Sequence, residues 1–453
     1  MATTSTRLKR TLTLWDLILY GIIVIQPVAP LSVFGVLSER GRGHVVTTVL
    51  IAMVAMLFTA ISYGRMARAY PSAGSAFTYV GQEINPALGY VTGWSMVMDY
   101  MLNPMICTIW CSQQAHVFAP AIPYGGWAIF FAGVFTWLNI QGIKTSARVN
   151  TALAAGMGVV IAIFFVAAAR YIFGNPHDGA AFFSRPFYDP QLWNTKAVLG
   201  GTSVAVLTYI GFDGISTLSE EAENPRRNIL LATVLTCLVI GILSAMEVYA
   251  AQLVWPASEP YPNVDTAITF VAGRAWQPLF VIMGFTLLVA NFGSGMGSQI
   301  GAARLLYGMG RSKALPQSFF GVVDPKHRVP RNNVLFVGAL ALAGAFILPA
   351  IAGEATGYEL GANLLNFGAL IAFMGVNAAA FTRYYLHGEK KTLGNLLPPV
   401  LGFVICFFLW WNLSTKARIF GAIWMAVGII FGAVKTRGFR GNLIDFELPA
   451  EEG

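Results

Sequence analysis

Three carboxylates of this chain sit where a carboxylate is costly. Asp213 lies in Tyr209-Ile-Gly-Phe-Asp213-Gly, inside an apolar run from Val198 to Leu218. Asp99 lies in Met98-Asp-Tyr-Met-Leu-Asn103-Pro104, and Glu247 in Met246-Glu-Val-Tyr249. Acids inside membrane-length apolar stretches are rare and mark substrate or proton pathways by default. The chemistry they offer is a counter-charge for an ammonium group, or a seat for a proton. Asp99 falls about thirteen residues into its run, roughly 20 Å along a helix. Asn103 is one turn further on the same face. Each acid also has a purely structural reading. Asp213 can cap backbone N–H groups at a half-helix start, Asp99 can bond to a neighbouring helix, and Glu247 can serve the fold or a proton path.

Those residues must be positioned by membrane helices. Of the 453 residues 56% are hydrophobic and 11% charged, with mean hydropathy +0.62, against about 25% charge for a soluble domain. Windows of roughly 20 apolar residues predict twelve spans, at 15–37, 45–66, 86–114, 126–142, 148–173, 198–219, 229–254, 276–303, 333–352, 360–382, 396–412 and 417–435. An even count puts both termini on one side. With the N-terminus inside, 21 of the 29 Lys and Arg residues fall in cytoplasmic segments, so both termini are expected in the cytoplasm. The net charge of +8 is thereby an orientation signal that calls for no nucleic-acid partner. The fold class expected is an all-α integral membrane protein of the inner (cytoplasmic) membrane.

Spans 1 and 6 are interrupted at their middles, by Gln26-Pro-Val-Ala-Pro30 and by Tyr209-Ile-Gly-Phe-Asp-Gly214. Unpaired backbone at membrane depth is tolerated only in protein or beside a cavity, and matching interruptions in two halves point to a secondary transporter's site. Spans 1–5 (15–173) and 6–10 (198–382) then form two inverted repeats, because an odd number of spans reverses orientation. Spans 11 and 12 (396–435) are additional, between cytoplasmic tails at 1–14 and 436–453.

The chain resembles the amino acid–polyamine–organocation superfamily of permeases over essentially its whole length. Tyr209-Ile-Gly-Phe-Asp213 with Glu220-Glu-Ala-Glu-Asn224-Pro-Arg-Arg227 is similar to that superfamily's sixth-helix signature. Pro71-Ser-Ala-Gly74-Ser-Ala-Phe77-Thr-Tyr79 with Gly89-Tyr-Val-Thr-Gly93-Trp94 resembles its helix 2–3 junction. Arg304-Leu-Leu-Tyr307-Gly-Met-Gly-Arg311 resembles the loop after helix 8. The resemblance implies the five-plus-five inverted repeat, with substrate held between helices 1, 3, 6, 8 and 10. Amino acid carriers of this group usually hold the substrate carboxylate on a Gly-rich break in helix 1, an N–H nest at a half-helix start. Here Pro27 and Pro30 have no N–H to give. This pattern, with Tyr63-Gly-Arg-Met-Ala-Arg-Ala-Tyr-Pro-Ser-Ala-Gly74, is similar to bacterial putrescine importers, whose substrate has no carboxylate.

The expected substrate contacts are therefore Gln26, Val28, Ala29, Ser32, Asp99, Asn103, Tyr209, Phe212, Asp213, Asn291 and Asn366. Tyr209 and Phe212 would cover an ammonium by cation–π contact, worth roughly 0.5–2 kcal/mol. Glu220 and Glu221 would close the inner gate beside Arg226 and Arg227. Glu247, Ser294 and Ser298 are candidates for coupling. Some proton-coupled relatives carry a lysine in helix 5, and that position falls near Met157 here. Proton symport is the reading favoured, through Asp99, Asp213 or Glu247. Sodium symport through Ser294 or Ser298, exchange and uniport stay open, as does an amino acid substrate held by the Val28, Ala29 and Ser32 amides. Cys107, Cys111, Cys237 and Cys406 have no companion ligands at metal spacing, and no cofactor is expected. Neither a His–carboxylate cluster nor a nucleophile elbow suggests an enzyme. A ligand sensor would need a docking element, and the tail after Lys435 is short.

Overall fold

The computed structural model describes residues 12–70, 75–142, 147–219, 222–311, 315–324, 326–327, 329–353, 357–436 and 438–439. Among them every regular element is a helix. The first predicted span divides into α1 (Leu14–Ile25), α2 (Ala29–Ser32) and α3 (Phe34–Arg40). Thr13 caps α1 reciprocally with Asp16, each side chain taking a backbone N–H of the other, a capping box. At the α1 end Gln26 takes φ 70°, a left-handed conformation that a non-glycine residue holds only under constraint. The sixth span divides likewise into α10 (Thr195–Ala205) and two 3-10 turns, Val206–Tyr209 and Phe212–Leu218, separated at Gly211 with φ 119°. Glycine reaches that φ without a Cβ clash, and here the added Cβ would also fall 3.0 Å from Val24.

The remaining elements are α4 (Val45–Ala69), α5 (Ser75–Glu83), α6 (Pro86–Phe118), α7 (Tyr124–Ile140), α8 (Ala147–Gly174), α9 (Ala180–Ser184), α11 (Pro225–Val254), α12 (Ala267–Ala275), α13 (Leu279–Arg311), α14 (Gln317–Phe320), α15 (Arg331–Ala352), α16 (Gly357–Phe381), α17 (Leu393–Trp411) and α18 (Thr415–Lys435). Prolines at the first turn open α6 and α11, where the missing N–H costs nothing. Ten described helices are long and apolar enough to cross a membrane. The third and fourth predicted spans fall outside that set for different reasons. α6 is 33 residues long but carries Asp99, Asn103, Gln113 and Gln114, while α7 is apolar but only 17 residues long.

α4 and α11 run antiparallel. Gly64 lies against Leu230 and Gly241 against Met53, and small residues let two backbones approach in this way. α18 is fastened to α6 by two tryptophans, Trp94 and Trp424, each donating its indole N–H to the other's carbonyl, with rings stacked 4.8 Å apart. The outer faces of the bundle are apolar, including Phe285 on α13, Trp411 on α17, and Ile423, Ile430 and Val434 on α18. Such a surface belongs against lipid.

Candidate functional site

The two breaks come together at the centre of the bundle, where Gly211 lies beside Val24 and Ile25 at the end of α1. Asp213 projects from the second 3-10 turn and is 7% exposed. Its carboxylate accepts the Gly211 N–H at 3.2 Å, so the capping role is real. Asp99 on α6 stands within electrostatic range of Asp213, and among the described residues no lysine or arginine is in such range of either. Asp99 and Tyr100 are only partly covered although protein surrounds them, as befits residues lining an internal space. Tyr20 of α1, Tyr63 of α4 and Tyr100 share the electrostatic environment of these acids. The Tyr63 hydroxyl is buried and has no partner among the described residues. Pro104 withdraws the helix bond from the Tyr100 carbonyl, one residue from Asp99.

The first break has little left to offer an anion. The Ala29 N–H is donated to the Gln26 carbonyl at 3.1 Å, and the Leu31 N–H to the Val28 carbonyl at 3.1 Å. Gln26 donates its side-chain amide to the Ala290 carbonyl of α13 at 2.7 Å. Ser32 accepts from Asn291 at 3.1 Å. Asn103 donates to Ser298 at 2.6 Å and to Ser294 at 3.3 Å. These bonds knit α1, α2 and α6 to α13 around the space, so Gln26, Ser32, Asn103, Asn291, Ser294 and Ser298 form one polar rim.

Four expected residues lie elsewhere. The Tyr209 hydroxyl donates to the Val49 carbonyl of α4 at 2.9 Å. Phe212 is wholly buried among Tyr63 and Phe373, with ring centroids 5.5 and 5.3 Å away. Asn366 donates to the Ser203 carbonyl at 2.7 Å, tying α16 to α10. Glu247 has none of the other acids within electrostatic range among the described residues. Glu220 and Glu221 fall outside the described residues, next to Glu223, whose N–H donates to the Leu12 carbonyl at 2.8 Å.

Several residues around the candidate site are not singled out by the sequence. Tyr20, Tyr63 and Tyr100 flank the acids, and only the adjacency of Tyr100 to Asp99 hinted at this. At one end Arg40 of α3 pairs with Glu359 of α16 at 2.5 Å. Trp110 donates to both the Ser32 and Asp265 carbonyls at 3.2 and 2.9 Å, closing the space from that side. At the opposite end Arg383 pairs with Glu83 at 2.5 Å, and Tyr70 also donates to Glu83 at 2.7 Å. Asp265, outside the spans, has its carboxyl pushed up to about 8 by burial, with the charges of Glu359 and Glu39 adding to the effect.

Two broken spans around buried acids, tied shut at both ends inside an apolar bundle, describe a membrane transporter rather than an enzyme. The amino acid permease family matches residues 29–440, and the chain belongs to that family. It is 34% identical to the low-affinity putrescine importer PlaP of Escherichia coli (strain K12), over 98% of each chain. It is 25% identical to the branched-chain amino acid permease BcaP of Bacillus subtilis (strain 168), over 93% of this chain and 92% of that one. A methylthioribose transporter of the same Bacillus strain is also 25% identical, over 94% and 93%.

Proposed function

We propose that this protein imports a small amine of the putrescine type across the cytoplasmic membrane by alternating access, in symport with a proton. One observation carries the reading. Asp99 and Asp213 stand within electrostatic range of one another, and among the described residues no cationic side chain neutralises either. Two carboxylates in range of one another resist joint ionisation. A diamine relieves that repulsion with one ammonium on each acid, while the Tyr63 hydroxyl and the Tyr100 carbonyl supply neutral polar contacts. Gln26, Ser32, Asn103 and Asn291 frame the site, with Val28 and Ala29 beneath. Tyr209 and Phe212 hold the second break against α4 and α16 so that Asp213 keeps its aim. The engagement of the Ala29 and Leu31 amides supports an amine over an amino acid, and the putrescine importer among the relatives points the same way.

The transport cycle proposed places both termini in the cytoplasm, with the halves 15–173 and 198–382 as inverted repeats rocking about the two breaks. The antiparallel pairing of α4 with α11 supports that relation. A binding panel on purified protein tests the substrate. Putrescine, cadaverine and agmatine are expected to raise its melting temperature, and leucine, lysine and glutamate are expected to leave it unchanged. Stabilisation by the amino acids and not by the diamines would reverse the assignment.

A further inference from the structure

Helix α11 has two faces whose neighbours are fixed. Leu230 and Gly241 lie against α4, and Thr236 lies against Gly21 of α1. Glu247 is eleven residues beyond Thr236, which at about 3.6 residues per turn is close to three whole turns and roughly 16 Å. It therefore shares the Thr236 face, turned to the first broken span, and α2 packs on α11. Glu247 is 0% exposed. Among the described residues neither of its oxygens has a hydrogen-bond partner, and the same is true of the Ser244 hydroxyl one turn back and of the Thr236 hydroxyl. Among the described residues no charged group stands within electrostatic range of it. The titratable groups on the elements around α11 are turned to other tasks. Tyr20, Tyr63 and Asp213 belong to the substrate site, and Tyr209 is bonded to Val49. Arg40 is paired with Glu359, next to Glu39. Arg274 of α12 is held by Glu259 and by Tyr171 of α8.

An unpartnered buried carboxylate costs several kcal/mol if charged, so in this closed arrangement it holds its proton. What can change its surroundings is α2, the half-helix hinged at the constrained Gln26 backbone. We propose that Glu247 is the seat of the co-transported proton: its carboxylate takes a proton from outer water while α2 stands away from α11, and the acid returns that proton to cytoplasmic water later in the cycle. This rests on the proton symport proposed above and names its carrier, separate from the amine's counter-charges.

The test uses the full-length protein in proteoliposomes. Putrescine accumulation driven by an acid-outside pH gradient is compared with putrescine counterflow, which needs no net proton release. Wild type is expected to do both. Glu247→Gln, which mimics the protonated acid, should keep counterflow within about twofold and lose at least about tenfold of gradient-driven accumulation. Glu247→Asp should keep both, with a shifted pH midpoint. Gradient-driven accumulation by Glu247→Gln equal to wild type would overturn the proposal, as would a parallel loss of both activities in the Gln and Asp variants. A wild type that exchanges putrescine but ignores the pH gradient would overturn proton symport itself. A wild type that binds no putrescine would overturn the substrate, and leucine would then replace it in the same assay.

Discussion

At Asp213 one carboxylate serves both backbone and substrate, and the two roles can be separated by substitution. Asparagine keeps an oxygen to accept the Gly211 N–H, so Asp213→Asn should fold and melt within a few degrees of wild type. Its putrescine uptake should fall by more than about tenfold, since roughly 4 kcal/mol of charge attraction at 4 Å is at stake for an effective dielectric of 20. Uptake and melting curves on the same preparation check both halves. Asp265 gives a prediction of opposite character. Its folded carboxyl titrates near 8 against an ordinary 3.8, so the native state holds a proton that the unfolded chain has already lost. Stability should therefore fall as pH rises between those two values and level off above 8. Asp265→Asn should flatten that slope in melts taken from pH 5 to pH 9. The acids were legible in the sequence because charge in an apolar run is conspicuous. The tyrosines around them were not, because the chain carries 32 Phe, 16 Tyr and 11 Trp and no residue type announces which ring faces a cavity. With so many rings packing in one bundle, nothing local in the sequence tells Tyr63 or Tyr100 from a ring in the core.

At the scale of the element, the two breaks were legible and their geometry was not. Prolines and glycines in an apolar run marked both places. That Gln26 rather than a glycine takes the left-handed turn, and that the Ala29 N–H closes back on Gln26, depends on contacts with α13 that no local pattern contains. The same holds for Tyr209, whose hydroxyl finds a carbonyl 160 residues away in sequence. Gly211 carries the second break. Gly211→Ala would force a side chain into φ 119° and within 3.0 Å of Val24, at a cost of roughly 1–3 kcal/mol. A lower melting temperature and weaker putrescine binding should appear together, because the strain falls beside Asp213. The predicted spans fall on helices of the described residues, but their ends shift: Asn194 and Ser414 cap helices that start at Thr195 and Thr415, ahead of the expected 198 and 417, and α13 runs on to Arg311 past the expected 303.

At the scale of the whole molecule, the closed state is held by few contacts at either end. At the end that the proposed orientation turns outward, Arg40 and Glu359 join α3 to α16, with the arginine half exposed; such a pair is worth at most about 1 kcal/mol. Glu359→Gln should therefore raise outward opening by no more than about fivefold, read as labelling of a Ser32→Cys variant by an impermeant maleimide. Loss of folding instead would mean that the pair is part of the scaffold. The frame against which such movements occur includes the Trp94–Trp424 pair that joins α6 to α18. Two indoles stacked 4.8 Å apart at 18° are close enough to share their electronic excitation, so the pair is a built-in optical gauge. Its circular-dichroism couplet, isolated by subtracting the spectrum of Trp424→Phe, stays constant through the cycle if α6 and α18 travel as one body, and changes sign or amplitude when putrescine is added if they slide.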